Sequence, residues 1–134
     1  MKKKQIHCPY CGAKASLRPA SAVYGTATKA PDSYLYVCDR YPRCDSYVGA
    51  HKRTKEPMGT LANGDLRNKR IQAHKAFDWM WKSGLMTKWQ AYKWMQGKLA
   101  LTDEQAHIAK FSEYMCDRLI IECNRVLENQ RIAA

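Results

Sequence analysis

Two pairs of cysteines constrain this chain more than any other feature. Cys8 and Cys11 stand in "CPYCG", Cys38 and Cys44 stand in "CDRYPRC", and twenty-six residues separate the pairs. The segment that contains them has few large aliphatic side chains: Leu17, Val23, Leu35, Val37 and Val48. A module of about fifty residues with so small a core needs a staple. Each cysteine pair sits on a turn that can aim both sulfurs at one point. Strands between the pairs can bring the two turns together, and four converging thiolates are what a structural Zn2+ site requires.

Disulfides are the competing staple, and the context argues against them. The N-terminal text "MKKKQIHC" is basic with no apolar stretch behind it, so no secretory signal is expected. No apolar run approaches the roughly 20 residues of a membrane span. The expected location is the cytoplasm, where thiols stay reduced. Four cysteines complete a tetrahedral site and leave no open position for a reactive water, so the expected metal is structural rather than hydrolytic. His7 and His51 adjoin the cluster in sequence and are the alternative ligands if a cysteine is not used. Cys116 and Cys123 fall on the apolar stripe of a helix and read as small buried hydrophobes.

The chain as a whole reads as α+β: a small β-hairpin zinc ribbon followed by a three-helix α-helical module. The expected division is 1–55, including a mobile basic leader over 1–7, and 56–134. "SYLYVC" is dense in β-formers, and "ASLRPASAVYG" and "DSYVGAH" carry shorter strands. Residues 52–65, punctuated by Pro57, Gly59, Asn63 and Gly64, read as a linker. Asp65 is a candidate N-cap for a helix that Gly84 stops, with Leu66, Ala73, Phe77, Met80 and Trp81 on one face. Thr87 with Gln90 predicts a second helix ending at Gly97. Thr102 with Gln105 predicts a third that reaches about Asn129, with Ile108, Phe111, Met115, Leu119, Cys123 and Val126 as its stripe.

The net charge of +11 is unevenly placed. Residues 1–56 carry +7 and residues 57–101 carry +6, whereas residues 102–134 carry −2. That asymmetry favours an anionic partner, and nucleic acid is the commonest one. The first segment also interleaves tyrosines with cations, the mixture used to stack bases and follow phosphates on a single strand. Arg18, Lys29, Arg40 and Arg43 are the candidate phosphate contacts, and Tyr34, Tyr36 and Tyr41 the candidate stacking residues. In "SYLYVC", Leu35 and Val37 share one face and Tyr34 and Tyr36 the other, so an inward aliphatic face would turn the tyrosines outward.

"CPYCG...YLYVCDRYPRCDSYV" resembles the C-terminal zinc-ribbon modules of bacterial type I topoisomerases, through Cys8, Pro9, Cys11, Gly12, Cys38, Tyr41, Pro42 and Cys44. The resemblance covers about residues 8–50 and implies zinc on the four cysteines and binding of single-stranded DNA. The hairpin between the pairs is longer here, by "YGTATKAPDS". Over nearly its full length, the chain also resembles zinc-finger-containing proteins of phages and prophages, through "VYG", "YLYVCDRYPRCDSYVGAH", "PMGTLAN", "LRNKRIQAH" and "FDWMW".

The expected function is therefore non-catalytic nucleic-acid binding, DNA before RNA and single-stranded or distorted before regular duplex. The rival is a protein-interaction adaptor or inhibitor acting on host machinery through the Trp-rich helices, with Trp79, Trp89 and Trp94 as the contacts. A third reading is a small metal-dependent nuclease assembled from His51, His74 and His107 with Asp65, Asp78, Asp103 and Glu104, although no spacing among these compels it and Asp78 is the acid least explained by capping or exposure.

Overall fold

The computed structural model describes residues 5–25 and 32–133. The chain divides into two compact units, 1–65 and 66–134. Residues 1–4 of the expected leader lie outside the described residues; Ile6 and His7 form a short strand.

The first unit is a four-stranded antiparallel sheet in sequential order, β1 (Ile6–His7), β2 (Lys14–Pro19), β3 (Tyr34–Cys38) and β4 (Tyr47–Gly49). A single helical turn, α1 (Ser21–Tyr24), follows β2. The register pairs Leu17 with Tyr36 and Tyr36 with Val48, which puts these three residues on one face. Leu35 and Val37 occupy the other.

Both faces are covered. On one, Cys8, Cys38, Val48 and Leu61 form a buried cluster with Ile6, Ala15 and Tyr36 against it. On the other, Ala20, Leu35 and Val37 pack with Val23, Tyr41 and Tyr47. The expectation of one inward and one outward face therefore fails for Tyr36, because residues from beyond β4 cover its side.

Those residues come from the stretch read as a linker. Tyr47 bridges to Ala62 and Ala50 to Pro57, both antiparallel. Leu61 and Ala62 are almost fully buried. The division accordingly falls after Asp65 rather than after residue 55.

The second unit is helical. α2 (Gly64–Lys82) starts at the boundary, one residue before the expected Asp65 cap. The Asp45 carboxylate accepts from the Gly64 N–H at 3.0 Å, and Asp65 lies in the first turn, where a negative charge suits the helix dipole. α2 buries Leu66, Arg70, Ala73, Phe77 and Met80, spaced three and four apart as one face of a helix demands. Gly84 ends the segment at φ +84°, a left-handed conformation that suits glycine.

α3 (Lys88–Leu99) opens on the expected capping box, with Thr87 and Gln90 exchanging side-chain and backbone hydrogen bonds. It does not stop at Gly97. The helix runs on to Leu99 and closes at Ala100, which adopts φ 54° and donates to the Gln96 carbonyl.

The Thr102–Gln105 box also forms, but it caps only a turn. The chain then extends at His107, makes a 3-10 turn over Ile108–Lys110, and restarts as α4 (Glu113–Ala133) under a hydrogen bond from the Met115 N–H to the Ser112 hydroxyl. The break lets Ala106, Ile108 and Phe111 all point inward, which a continuous helix through 106–111 could not achieve on one face. Arg70 donates from Nε to the Phe111 carbonyl and Lys69 pairs with Asp117 at 2.6 Å, tying α2 to this region. Cys116, Leu119 and Cys123 are buried on α4, and the Phe77 ring meets Tyr92 of α3 edge-on at 5.0 Å.

No helix among the described residues is long and apolar enough to cross a membrane.

Candidate metal centre

The two cysteine pairs meet. Cys11 Sγ lies 3.4 Å from Cys38 Sγ and Cys8 Sγ lies 3.6 Å from Cys44 Sγ, with all four sulfurs within 4.8 Å of one another. A tetrahedral zinc with Zn–S bonds near 2.3 Å holds its sulfurs about 3.8 Å apart, so the observed spread brackets that geometry. All four residues are free thiols.

Each pair is presented by its own turn. The first closes by hydrogen bonds from the Gly12 N–H to the Cys8 carbonyl, at 2.9 Å, and from the Cys8 N–H to the Ala13 carbonyl, at 2.7 Å. Gly12 adopts φ +77° to make that turn. The second is held by bonds from the Tyr41 N–H to the Cys38 carbonyl and from the Cys44 N–H to the Arg40 carbonyl, around a cis Tyr41–Pro42 peptide. The β2–β3 ladder ends at Ala15 and Cys38, which joins the two turns at one end of the sheet.

The electrostatics favour a bound cation. Burial pushes the Cys8 thiol up, but the backbone N–H groups of Tyr10 and Cys11, the Ser46 hydroxyl and the Cys44 thiol outweigh it and bring Cys8 down to about 6. Burial raises Cys38 to about 12 against the Arg40 N–H, with the neighbouring sulfurs adding to the rise. Burial also raises Cys44, opposed by the Ser46 N–H. Crowded sulfurs cannot all ionise without a counter-ion, and a divalent cation removes that conflict. The fully buried Ser46 hydroxyl falls short of hydrogen-bond geometry with any partner, yet its dipole favours the Cys8 thiolate.

The donor set is thus four thiolates approached by backbone N–H groups in a closed site, suited to a soft, tetrahedral ion. His7 and His51 are exposed and stand outside the group. Among the described residues, no other set of three or more His, Cys, Asp or Glu gathers closely enough to hold an ion. His74 and His107 are exposed, and Asp78 pairs with Lys82 at 3.7 Å on α2.

This arrangement agrees with what the sequence matches. The chain fits the model of a zinc-finger-containing domain, DUF3268, over residues 4–126. It belongs to that family. No curated protein and no solved structure matches the chain.

The remaining candidates are distributed less simply. Arg40 and Arg43 are exposed on the second turn, and no acidic partner faces either among the described residues. Arg18 is half-buried and lies 3.8 Å from Asp39, which also accepts from the Ser16 hydroxyl at 2.6 Å. Lys29 lies outside the described residues. Tyr34 is half-buried with the Lys55 ammonium 4.3 Å above its ring, and the Tyr36 hydroxyl donates to the Lys55 carbonyl. Tyr41 packs edge-on against Tyr47, which also meets Tyr24. The tyrosine most open on the metal-binding turns is Tyr10, 46% exposed between Cys8 and Cys11. Its position inside the first cysteine pair was the available signal for it. In the second unit Trp89 is 68% exposed, with Lys93 over its ring, while Trp79 and Trp94 are half-buried.

Proposed function

We propose that this chain is a zinc-binding, non-catalytic nucleic-acid-binding protein whose first unit contacts single-stranded or distorted DNA. The observation that carries the reading is the pair of exposed, unneutralised guanidinium groups, Arg40 and Arg43, on one metal-binding turn, with the open Tyr10 ring on the other. Zinc fixes both turns, so cations for phosphates and a ring for a base are presented by a rigid frame. The nearby acids make their contacts elsewhere, Asp39 with Ser16 and Arg18 and Asp45 with the Gly64 N–H, and no ion pair joins either to Arg40 or Arg43. The likeness of "CPYCG" and "CDRYPRC" to topoisomerase zinc ribbons supports the same reading, and the likeness to phage and prophage proteins supports an origin on a mobile element.

The metal in this reading is Zn2+, held by Cys8, Cys11, Cys38 and Cys44. It supplies cross-linking of the two turns and no reaction step.

The test is titration of the zinc-loaded chain with a labelled single-stranded oligonucleotide at two salt concentrations. Binding that weakens steeply with salt is expected. Absence of binding, or binding indifferent to salt, overturns the reading.

A second reading rests on Trp89. An indole exposed to this degree on a helix is a common mark of a protein interface, and it favours an adaptor acting on another protein through α3.

A further inference from the structure

The stretch His51–Glu56 is not a passive connection. The bridge between Ala50 and Pro57 makes it a tight hairpin, closed by bonds from the His51 N–H to the Glu56 carbonyl at 2.7 Å and from the Lys55 N–H to the His51 carbonyl at 2.9 Å. Its tip reads "KRTK". Lys52 and Arg53 are exposed there, and neither side chain meets an acid among the described residues. Glu56, the nearest acid in sequence, points its backbone rather than an ion pair into the closure: its carbonyl accepts from His51, and its N–H donates to the Thr54 hydroxyl.

The tip is held far more firmly than its composition requires. Lys55 adopts φ 61°, a left-handed conformation uncommon for a long side chain. Three contacts fix it there. Its ammonium donates to the Lys52 carbonyl at 2.9 Å and sits over the Tyr34 ring, and its own carbonyl accepts from the Tyr36 hydroxyl. A residue held in a sparsely populated conformation by several neighbours points to a placement that serves something beyond folding. Here the two β3 tyrosines fix the one lysine whose turn aims Lys52 and Arg53 outward.

We propose that the hairpin tip Lys52–Arg53 is a phosphate-contacting element for single-stranded nucleic acid, with Tyr34, Tyr36 and Lys55 as its positioning residues. The proposal rests on the nucleic-acid reading above and names a second contact point within that same unit. In it, Tyr34 and Tyr36 serve the nucleic acid indirectly, by holding the tip instead of stacking on bases.

The test uses the zinc-loaded full chain and a labelled single-stranded oligonucleotide over a series of salt concentrations. Three proteins are compared: the parent, Lys52→Gln/Arg53→Gln, and Lys75→Gln/Lys98→Gln as a charge-matched control in the helical unit. The tip variant is expected to bind about tenfold or more weakly, and to flatten the slope of log K against log salt by about 1.4, since each single-strand phosphate contact contributes about 0.7. The control is expected to stay close to the parent. Unchanged affinity and slope in the tip variant, with the parent binding normally, overturns the tip and leaves the broader reading standing. Failure of the parent to bind overturns both. An equal loss in the control assigns the effect to net charge and overturns the tip. Poly-glutamate of matched charge that binds the parent as tightly as the oligonucleotide does, and loses as much affinity in the tip variant, reassigns the tip to acidic protein and also overturns it.

Positioning is read from a double-mutant cycle. Tyr36→Phe is expected to weaken binding in the parent but not in the Lys52→Gln/Arg53→Gln background, with zinc content unchanged in both. Equal losses in the two backgrounds overturn the positioning role.

Discussion

The sulfurs of Cys11 and Cys38 stand 3.4 Å apart although twenty-six residues lie between them. Cys8 and Cys44 close a longer loop still, with their sulfurs 3.6 Å apart. The two apolar clusters around the sheet are small, and one of them includes the cysteines themselves. A structural zinc in a module of this size contributes on the order of 10 kcal/mol to folding. Chelation is therefore expected to unfold the first unit while the helical unit persists. Hydrogen exchange would show amides of β2 and β3 losing protection, with those of α2 and α4 keeping theirs. Retained protection in β3 after complete metal removal would sink the structural role. Thiol alkylation supplies an independent check: four cysteines should become reactive on chelation, with Cys116 and Cys123 still shielded by burial.

Acid should release the metal. Zinc takes thiolates, so Cys38 and Cys44, both raised by burial, give up protons on binding, and protons compete as pH falls. Zinc affinity measured by competition with a chromophoric chelator should fall steadily from pH 8 to pH 5.5, with protons released on binding at pH 7.5. A flat profile would mean the sulfurs are not the ligands.

The metal centre was legible in the sequence because its information is local. C-x2-C and C-x5-C each specify a turn, and Gly12 and Pro42 lie within those turns. Capping boxes are equally local, and both Thr87–Gln90 and Thr102–Gln105 form as written. How far a helix runs beyond its cap is decided by tertiary packing: after Gln105 the chain gives up helix so that Ile108 and Phe111 can be buried. Tyr34 and Tyr36 show the same limit. Their alternation with Leu35 and Val37 is plain, but the cover over Tyr36 comes from residues beyond β4. Pro57, Gly59 and Gly64 signal irregular backbone, and irregular backbone can still pair with a strand, as Ala62 does with Tyr47.

Alkali should weaken the helical unit through its buried thiols. Burial, with the neighbouring Glu122 carboxylate adding to it, raises Cys123 from 9.0 to about 12, and burial also raises Cys116. Neutral thiols are thus favoured in the folded unit, so their contribution is intact below pH 9 and declines as pH rises towards 12. Thermal unfolding of the parent and of Cys123→Ala between pH 8 and pH 11 would separate this from tyrosine and lysine titration, which both proteins share. The parent is expected to lose midpoint more steeply; parallel slopes would exclude the thiol as the cause.

The end of α3 carries two mismatches between residue and backbone that can be exchanged for a gain. Gly97 lies inside the helix, exposed, and a Cβ built on it meets nothing within 4 Å. Alanine there removes the conformational freedom that glycine has in the unfolded chain and creates no clash. Ala100 is the reverse case: a residue with a Cβ held at φ 54°, where glycine is the favoured helix terminator. Gly97→Ala and Ala100→Gly should each stabilise the helical unit by about 0.5–1 kcal/mol. For a unit of this size, that corresponds to a rise in midpoint of about 2–8 °C. Gly97 and Ala100 make separate backbone adjustments, so the double variant should approach the sum. Calorimetry or circular dichroism of the three variants tests the assignment of the helix end. If Gly97→Ala lowers the midpoint, the helix stops at Gly97 as its sequence suggests, and the extension to Leu99 is wrong.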